Sequence, residues 1–244
     1  MDWHKRYQFQ ASWTVEIRRS LLGQINMQPS ARILEVGCGP GVILTGDLPV
    51  APEFRHGIDL DFQALQQAHA NLPASRWICG DGLRLPIADH SFSVSFCHYF
   101  LLWVEPLASL AEMRRVTQPG GWVFAFAEPD YQARIDYPPP LADLGKLQTQ
   151  ALVDQGIDPG IGRRLGELFA QSQIRVAATG MLGSMWTLPV EPASFENEWE
   201  ILSSDLQESL TRQELDDFKR IDRQSREDGS RVLLVPTFFA AGQV

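Results

Sequence analysis

Glu35, Gly37, Gly39 and Gly41 alternate at the end of the run Ile33-Leu34-Glu35-Val36-Gly37-Cys38-Gly39-Pro40-Gly41, and Asp59 follows. Three alternating glycines after a short apolar run let a backbone turn tightly and approach a ligand, because glycine tolerates positive φ and has no Cβ. A carboxylate at the tip of the next strand stands beside such a loop. In open α/β sheets this crevice, at the carboxyl ends of the strands, is where nucleosides bind. A dinucleotide fingerprint needs Gly-x-Gly-x-x-Gly/Ala; counted from Gly37 the sixth place is Val42, and the third glycine comes one residue early. An NAD-dependent oxidoreductase is therefore the weaker reading.

The pattern Glu35-x-Gly37-x-Gly39-x-Gly41 resembles the first motif of the class I S-adenosylmethionine-dependent methyltransferases. The likeness continues in order over residues 31 to 130, through His56-Gly57-Ile58-Asp59-Leu60-Asp61, Ile78-Cys79-Gly80-Asp81-Gly82, Leu85-Pro86, Ser91-Phe92-Ser93-Val94-Ser95 and Arg114 to Trp122 with its Pro119-Gly120-Gly121. Within that family the chain is similar to the broad group that includes the ubiquinone and menaquinone biosynthesis methyltransferases. The resemblance implies S-adenosylmethionine as cofactor. It implies that Glu35, Gly37, Cys38, Gly39 and Gly41 border it, that Asp59 with Leu60 meets the ribose, that Asp81 with Gly82 meets the adenine, and that Cys97 lines it too.

A sulfonium methyl is already activated, so orienting and desolvating the acceptor can supply most of the acceleration and a general base is optional. Candidates for one are His98 and Tyr99 after the fourth strand, and Glu128, Asp130 and Tyr131 after the fifth; His98 has the best position. Tyr7, Phe9 and Trp13 are aromatic candidates for facing the cation or for packing. Arg134, Arg163 and Arg164 are candidate anchors for an anionic acceptor, the latter two equally a solvated helix face. Cys97-His98-Tyr99-Phe100 replaces the Asp/Asn-Pro-Pro-Tyr/Phe motif of amino-methyltransferases of nucleobases. The expected reaction is methyl transfer to oxygen, nitrogen or carbon of a small molecule. The alternative from another class is a non-catalytic module that binds S-adenosylmethionine or S-adenosylhomocysteine.

Composition agrees with a small-molecule partner. The net charge of −9 disfavours a nucleic-acid binder, which needs clustered Lys and Arg. No apolar run reaches membrane-spanning length and no apolar signal core follows the N-terminus, so a cytoplasmic protein without membrane insertion is expected. Cys38, Cys79 and Cys97 form no Cys-x-x-Cys pair, and no metal site is expected.

These residues need a scaffold, and the sequence outlines one. An N-terminal helix is expected over about Gln10 to Ile25, with strands near 31–36, 54–59, 75–79, 92–97, 121–127, 174–182 and 230–240. Asp61 is a predicted N-cap for a helix with Phe62, Leu65, His69 and Leu72 on one face; Pro106 starts another. Alternating strands and helices make an α/β, doubly wound, three-layer domain over 1–244. The family resemblance adds a Rossmann-like seven-stranded sheet of order 3-2-1-4-5-7-6 with the last strand antiparallel. Pro236 argues for a bulge in that strand. Two helical caps interrupt the pattern, about 131–160 with Pro138-Pro139-Pro140 and about 186–228 with a capping box at Thr211 and Glu214. They are expected to form lids, extra core or the contact of a homodimer.

Overall fold

The computed structural model describes residues 3–182 and 192–244. Its central sheet contains β1 (Ile33–Val36), β2 (Arg55–Asp59), β3 (Arg76–Cys79), β4 (Phe92–Cys97), β5 (Thr117–Pro129), β7 (Arg175–Met181) and β9 (Thr237–Gln243), in the order β3-β2-β1-β4-β5-β9-β7. β1 to β5 are parallel; β9 runs antiparallel to both its neighbours. This is the expected 3-2-1-4-5-7-6 order.

Strand parity builds the layers. Along β5, Val123 and Ala125 enter a core with Leu110 and Met113 of α4 (Pro106–Val116) and Leu168 and Phe169 of α6 (Leu165–Gln171). Phe124 and Phe126 enter the opposite core with Leu21 and Leu22 of α2 (Val15–Gly23) and Leu65 of α3 (Phe62–Asn71). Trp122, Phe124 and Phe126 stack along that face at 5.8 and 5.1 Å. Burial on both faces is what a near-continuous apolar strand requires.

Local signals act as their chemistry dictates. Asp61 caps α3 by accepting from the Gln63 and Ala64 amides, Pro106 opens α4 behind Glu105, and Thr211 and Glu214 form the reciprocal capping box of α8 (Arg212–Glu227). The α3 face differs from the expected one. Leu65 and Ala68 are its buried residues, while Phe62 and His69 are exposed, because the small Ala68 lets α3 approach the glycine loop.

The N-terminal helix is two helices, α1 (Trp3–Trp13) and α2, broken at Thr14. The fully buried Thr14 hydroxyl does not cap α2; it bonds the Ala11 carbonyl and meets His98. The last predicted strand is likewise two. β8 (Val232–Leu234) pairs antiparallel with β6 (Ile135–Tyr137) in a separate small sheet, and the chain crosses into β9 at Pro236. Proline cannot donate to a ladder, and there the chain changes sheets.

The two insertions meet. Leu141, Leu144 and Ala151 of α5 (Pro139–Asp154) pack with Phe195, Trp199 and Leu206 of α7 (Pro192–Leu206), and Leu215, Phe218 and Ile221 of α8 close the cluster. Trp186, at the start of the second expected cap, lies outside the described residues, as does the Phe9 side chain.

Candidate active site

At the carboxyl ends of the parallel strands lies a cleft of about 370 Å³. The glycine loop forms one side. Gly37, Gly39 and Gly41 all have positive φ, and a Cβ at Gly37 would run into the Phe100 ring. The loop's amides are already used: those of Gly37 and Cys38 donate to the Ile58 carbonyl at 2.9 and 3.0 Å, that of Gly39 to Asp59 Oδ2 at 2.7 Å, and that of Gly41 to the Cys38 carbonyl at 2.9 Å. Pro40 has none. A loop that consumes its own donors has nothing left to cradle a pyrophosphate.

The charged side chains lining the cleft, among the described residues, are Glu35, Asp59 and Asp81. Glu35 is buried, and its Oε2 has no hydrogen-bond partner. Burial pushes its pKa well above the usual carboxylate range, although Arg18 opposes this. Asp59 also accepts from the Asp61 amide at 2.9 Å, and Asp81 from the Leu83 amide at 2.8 Å. A buried carboxyl with one unpaired oxygen beside two more acids fits a ligand that carries an ammonium, a sulfonium and ribose hydroxyls. It does not suit a dianionic diphosphate.

Leu60, Cys38, Gly82 and His98 also line the cleft, with Glu35, Gly37, Gly39, Asp59 and Asp81. Gly41 and Cys97 do not line it. A Cβ at Gly41 would strike Trp77, so this glycine serves close packing of the loop on β3. Cys97 belongs to the α4 and α6 core, its thiol pushed up by burial. Successive residues at a strand end point to opposite sides, so His98 reaches the cleft and Cys97 does not. Cys79, at the end of β3, is exposed.

His98 Nε2 lies 2.9 Å from Thr14 Oγ1, which also receives a hydrogen bond from Arg18 and donates to the Ala11 carbonyl at 3.1 Å. The hydroxyl's one hydrogen and two lone pairs close this arrangement when Nε2 carries the imidazole proton. Burial, with Arg18 nearby, lowers the His98 pKa to about 3. The ring is therefore neutral at physiological pH.

The other candidates have structural duties. Glu128 is fully buried and accepts the Phe100, Leu101 and Leu102 amides at 3.0, 2.9 and 3.3 Å, capping the 3-10 turn Leu101–Trp103. Burial raises its pKa to about 7 against those three bonds. Asp130 is paired with Arg163, Arg164 with Asp158, and Arg134 with Asp136. Tyr7, Tyr99 and Tyr131 line the cleft, whereas Trp13 is largely exposed. Phe100, Trp103 and Leu152 line it as well. Phe100 and Trp103 stand on the same turn after β4 as His98, whereas Leu152 is brought there by α5 from a distant segment, so no local signal marked it. Among the described residues no group of three or more His, Cys, Asp or Glu could hold a metal ion, and no helix is long and apolar enough to cross a membrane.

Sheet order, glycine loop and acid-lined cleft together define the class I S-adenosylmethionine-dependent methyltransferase fold. Residues 34–125 match the model of the methyltransferase domain. A methyltransferase of Schizosaccharomyces pombe is 32% identical over 148 residues, 55% of this chain and 53% of that protein. The demethylmenaquinone methyltransferase of Renibacterium salmoninarum is 36% identical over 107 residues, 43% of this chain and 44% of its own. The chain thus spans about half the length of the curated relatives it matches. Among solved structures, geranyl diphosphate C-methyltransferase from Streptomyces coelicolor, with Mg2+, geranyl diphosphate and S-adenosyl-L-homocysteine, has the same fold, with a TM-score of 0.55 at 14% identity, over 93% of this chain and 78% of that one.

Proposed function

We propose that this protein transfers the methyl group of S-adenosylmethionine to a small-molecule acceptor. The observation that carries this reading is the buried Glu35, whose Oε2 has no hydrogen-bond partner, in a cleft whose glycine loop spends its amides internally. Glu35 would take the ammonium, Asp59 and Leu60 would border the ribose, and Asp81 with Gly82 the adenine; Gly37, Cys38 and Gly39 shape the wall. When bound, the cofactor supplies a methyl group on a cationic sulfur, ready for in-line displacement. The protein's part is to orient the acceptor and exclude water. His98, with a pKa of about 3, is poorly matched to general-base duty at neutral pH. It serves instead as a neutral group that orients the acceptor.

We read the chain as one domain, 1–244, with cap elements at about 131–160 and 186–228 over the acceptor side. The acidic net charge supports a small-molecule rather than a nucleic-acid partner, and three free cysteines suit the cytoplasm. The cap is also the surface on which a homodimer would form. The deciding experiment is incubation with methyl-labelled S-adenosylmethionine and panels of hydroxyl, amine and carbon acceptors, read by mass spectrometry. Labelled product is expected. Tight cofactor binding with no transfer to any acceptor class would favour a non-catalytic binding module.

A further inference from the structure

The corner between α1 and α2 is built around one hydroxyl. Thr14 is fully buried, and its Oγ1 stands 3.1 Å from the Ala11 carbonyl, 2.9 Å from His98 Nε2 and within hydrogen-bond reach of Arg18 Nη1. Arg18 Nη1 also donates to the Ala11 carbonyl at 2.9 Å, so the guanidinium ties both sides of the corner. Arg18 is buried, and its charge acts on Glu35 as well as on His98. Ala11, Glu35 and His98 line the cleft, whereas Thr14 and Arg18 do not.

The hydrogens of this corner can be counted. Arg18 only donates, so it fills one lone pair of the Thr14 oxygen. Two oxygens 3.1 Å apart need a hydrogen between them, and a carbonyl has none, so Thr14 donates to Ala11. One lone pair remains for the 2.9 Å contact with His98, and it demands a hydrogen on Nε2. Burial and Arg18 keep the ring neutral. The other nitrogen, Nδ1, then carries a lone pair and no hydrogen.

We infer that Thr14 and Arg18 are positioning residues, which hold His98 as its Nε2-protonated tautomer so that Nδ1 accepts a hydrogen bond from an O–H or N–H group of the acceptor. This rests on the methyltransferase reading and deepens it, by naming what the acceptor brings to His98. A heteroatom whose hydrogen is bonded to a fixed ring is held in one direction from the sulfonium methyl, and in-line displacement rewards that orientation. An acceptor without such a hydrogen, a thioether or a tertiary amine, meets Nδ1 lone pair to lone pair and leaves it unsatisfied. A site that hydrogen-bonds one substrate group discriminates against analogues that lack it. Here the choice is set from behind the cleft wall, with no contact between substrate and either Thr14 or Arg18.

Long-range nitrogen-to-proton NMR correlations of the full chain distinguish the two neutral tautomers of His98. The Nε2-protonated form is expected in the wild type and in Thr14→Ser, the Nδ1-protonated form in Thr14→Val, and a mixture in Arg18→Met, where the Thr14 hydroxyl is free to turn. A wild-type ring protonated on Nδ1, or a Thr14→Val ring identical to the wild type, overturns the inference. Transfer from methyl-labelled S-adenosylmethionine is then compared between alcohols with primary and secondary amines on one side, and thioethers with tertiary amines on the other. The first set is expected to turn over at least about tenfold faster, and Thr14→Val to lower that kcat about tenfold, more than it raises the KM for S-adenosylmethionine, with Thr14→Ser restoring it. Equal turnover of the two sets, or Thr14→Ser no better than Thr14→Val, also overturns it. Absence of product from every acceptor refutes the methyltransferase reading, while the tautomer, read without any ligand, still decides the positioning role.

Discussion

The Asp59 carboxylate accepts the Gly39 and Asp61 amides and keeps lone pairs for the ribose hydroxyls of the proposed complex. Asp59→Ala removes both the sugar acceptor and the brace on the loop, so affinity for S-adenosylhomocysteine should fall by about 1.5 to 3 kcal/mol. Calorimetry on the folded variant checks this, and unchanged affinity would remove Asp59 from the site. His98 makes a different prediction. Below pH 6.5 an unfolded imidazole takes a proton, whereas the folded ring refuses it until about pH 3, so stability declines as pH is lowered through that window. His98→Gln should erase up to about 2 kcal/mol of the difference between pH 7 and pH 5. Urea unfolding at the two values measures it; an equal acid-side decline in the variant would contradict the pKa assignment.

Between β4 and α4 the chain turns sharply, with Tyr99 at positive φ, and Glu128 of β5 holds that turn by three amides. The element depends on one buried carboxyl. Unfolded, Glu128 ionises above about pH 4.5; folded, it keeps its proton to about 7. Its contribution to stability is thus complete at low pH and is lost as pH rises through this window. Glu128→Gln turns an amide nitrogen toward a backbone N–H and should destabilise by about 1 to 3 kcal/mol at pH 5, with a smaller penalty at pH 8. Chemical unfolding at both values tests the sign. A penalty that grows with pH would refute it.

Across the whole molecule, the two insertions are joined by charge as well as by apolar packing. Asp136 pairs with Arg134 and Arg231, Asp222 with Arg226 and Arg231, and Glu198 with Arg226, while the Trp199 indole donates to Asp222 at 2.8 Å. Asp222 is 2% exposed and Trp199 1% exposed. Removing one charge from such a network strands its partners without water, so Asp222→Asn should cost about 3 to 5 kcal/mol. Hydrogen exchange should then rise in α5, α7 and α8 before it rises in the central sheet. Uniform exchange across the molecule would mean that the cap and sheet unfold as one unit.

Features encoded within a few residues were legible in the chain: the alternating glycines and Asp59, the Asp61 cap, Pro106, the Thr211 and Glu214 box, and the sheet order implied by family resemblance. Backbone freedom, capping bonds and crossover handedness are local or chiral properties, so they survive in one dimension. Only tertiary structure decided that Cys97 turns into the core while His98 meets Thr14, that Gly41 packs on Trp77, that the arginines are consumed by carboxylates, and that two distant insertions share one core. Each of these turns on a contact between segments far apart in sequence. Strand parity and close packing select such contacts, and a change of one residue in register reverses which side chain faces the cleft.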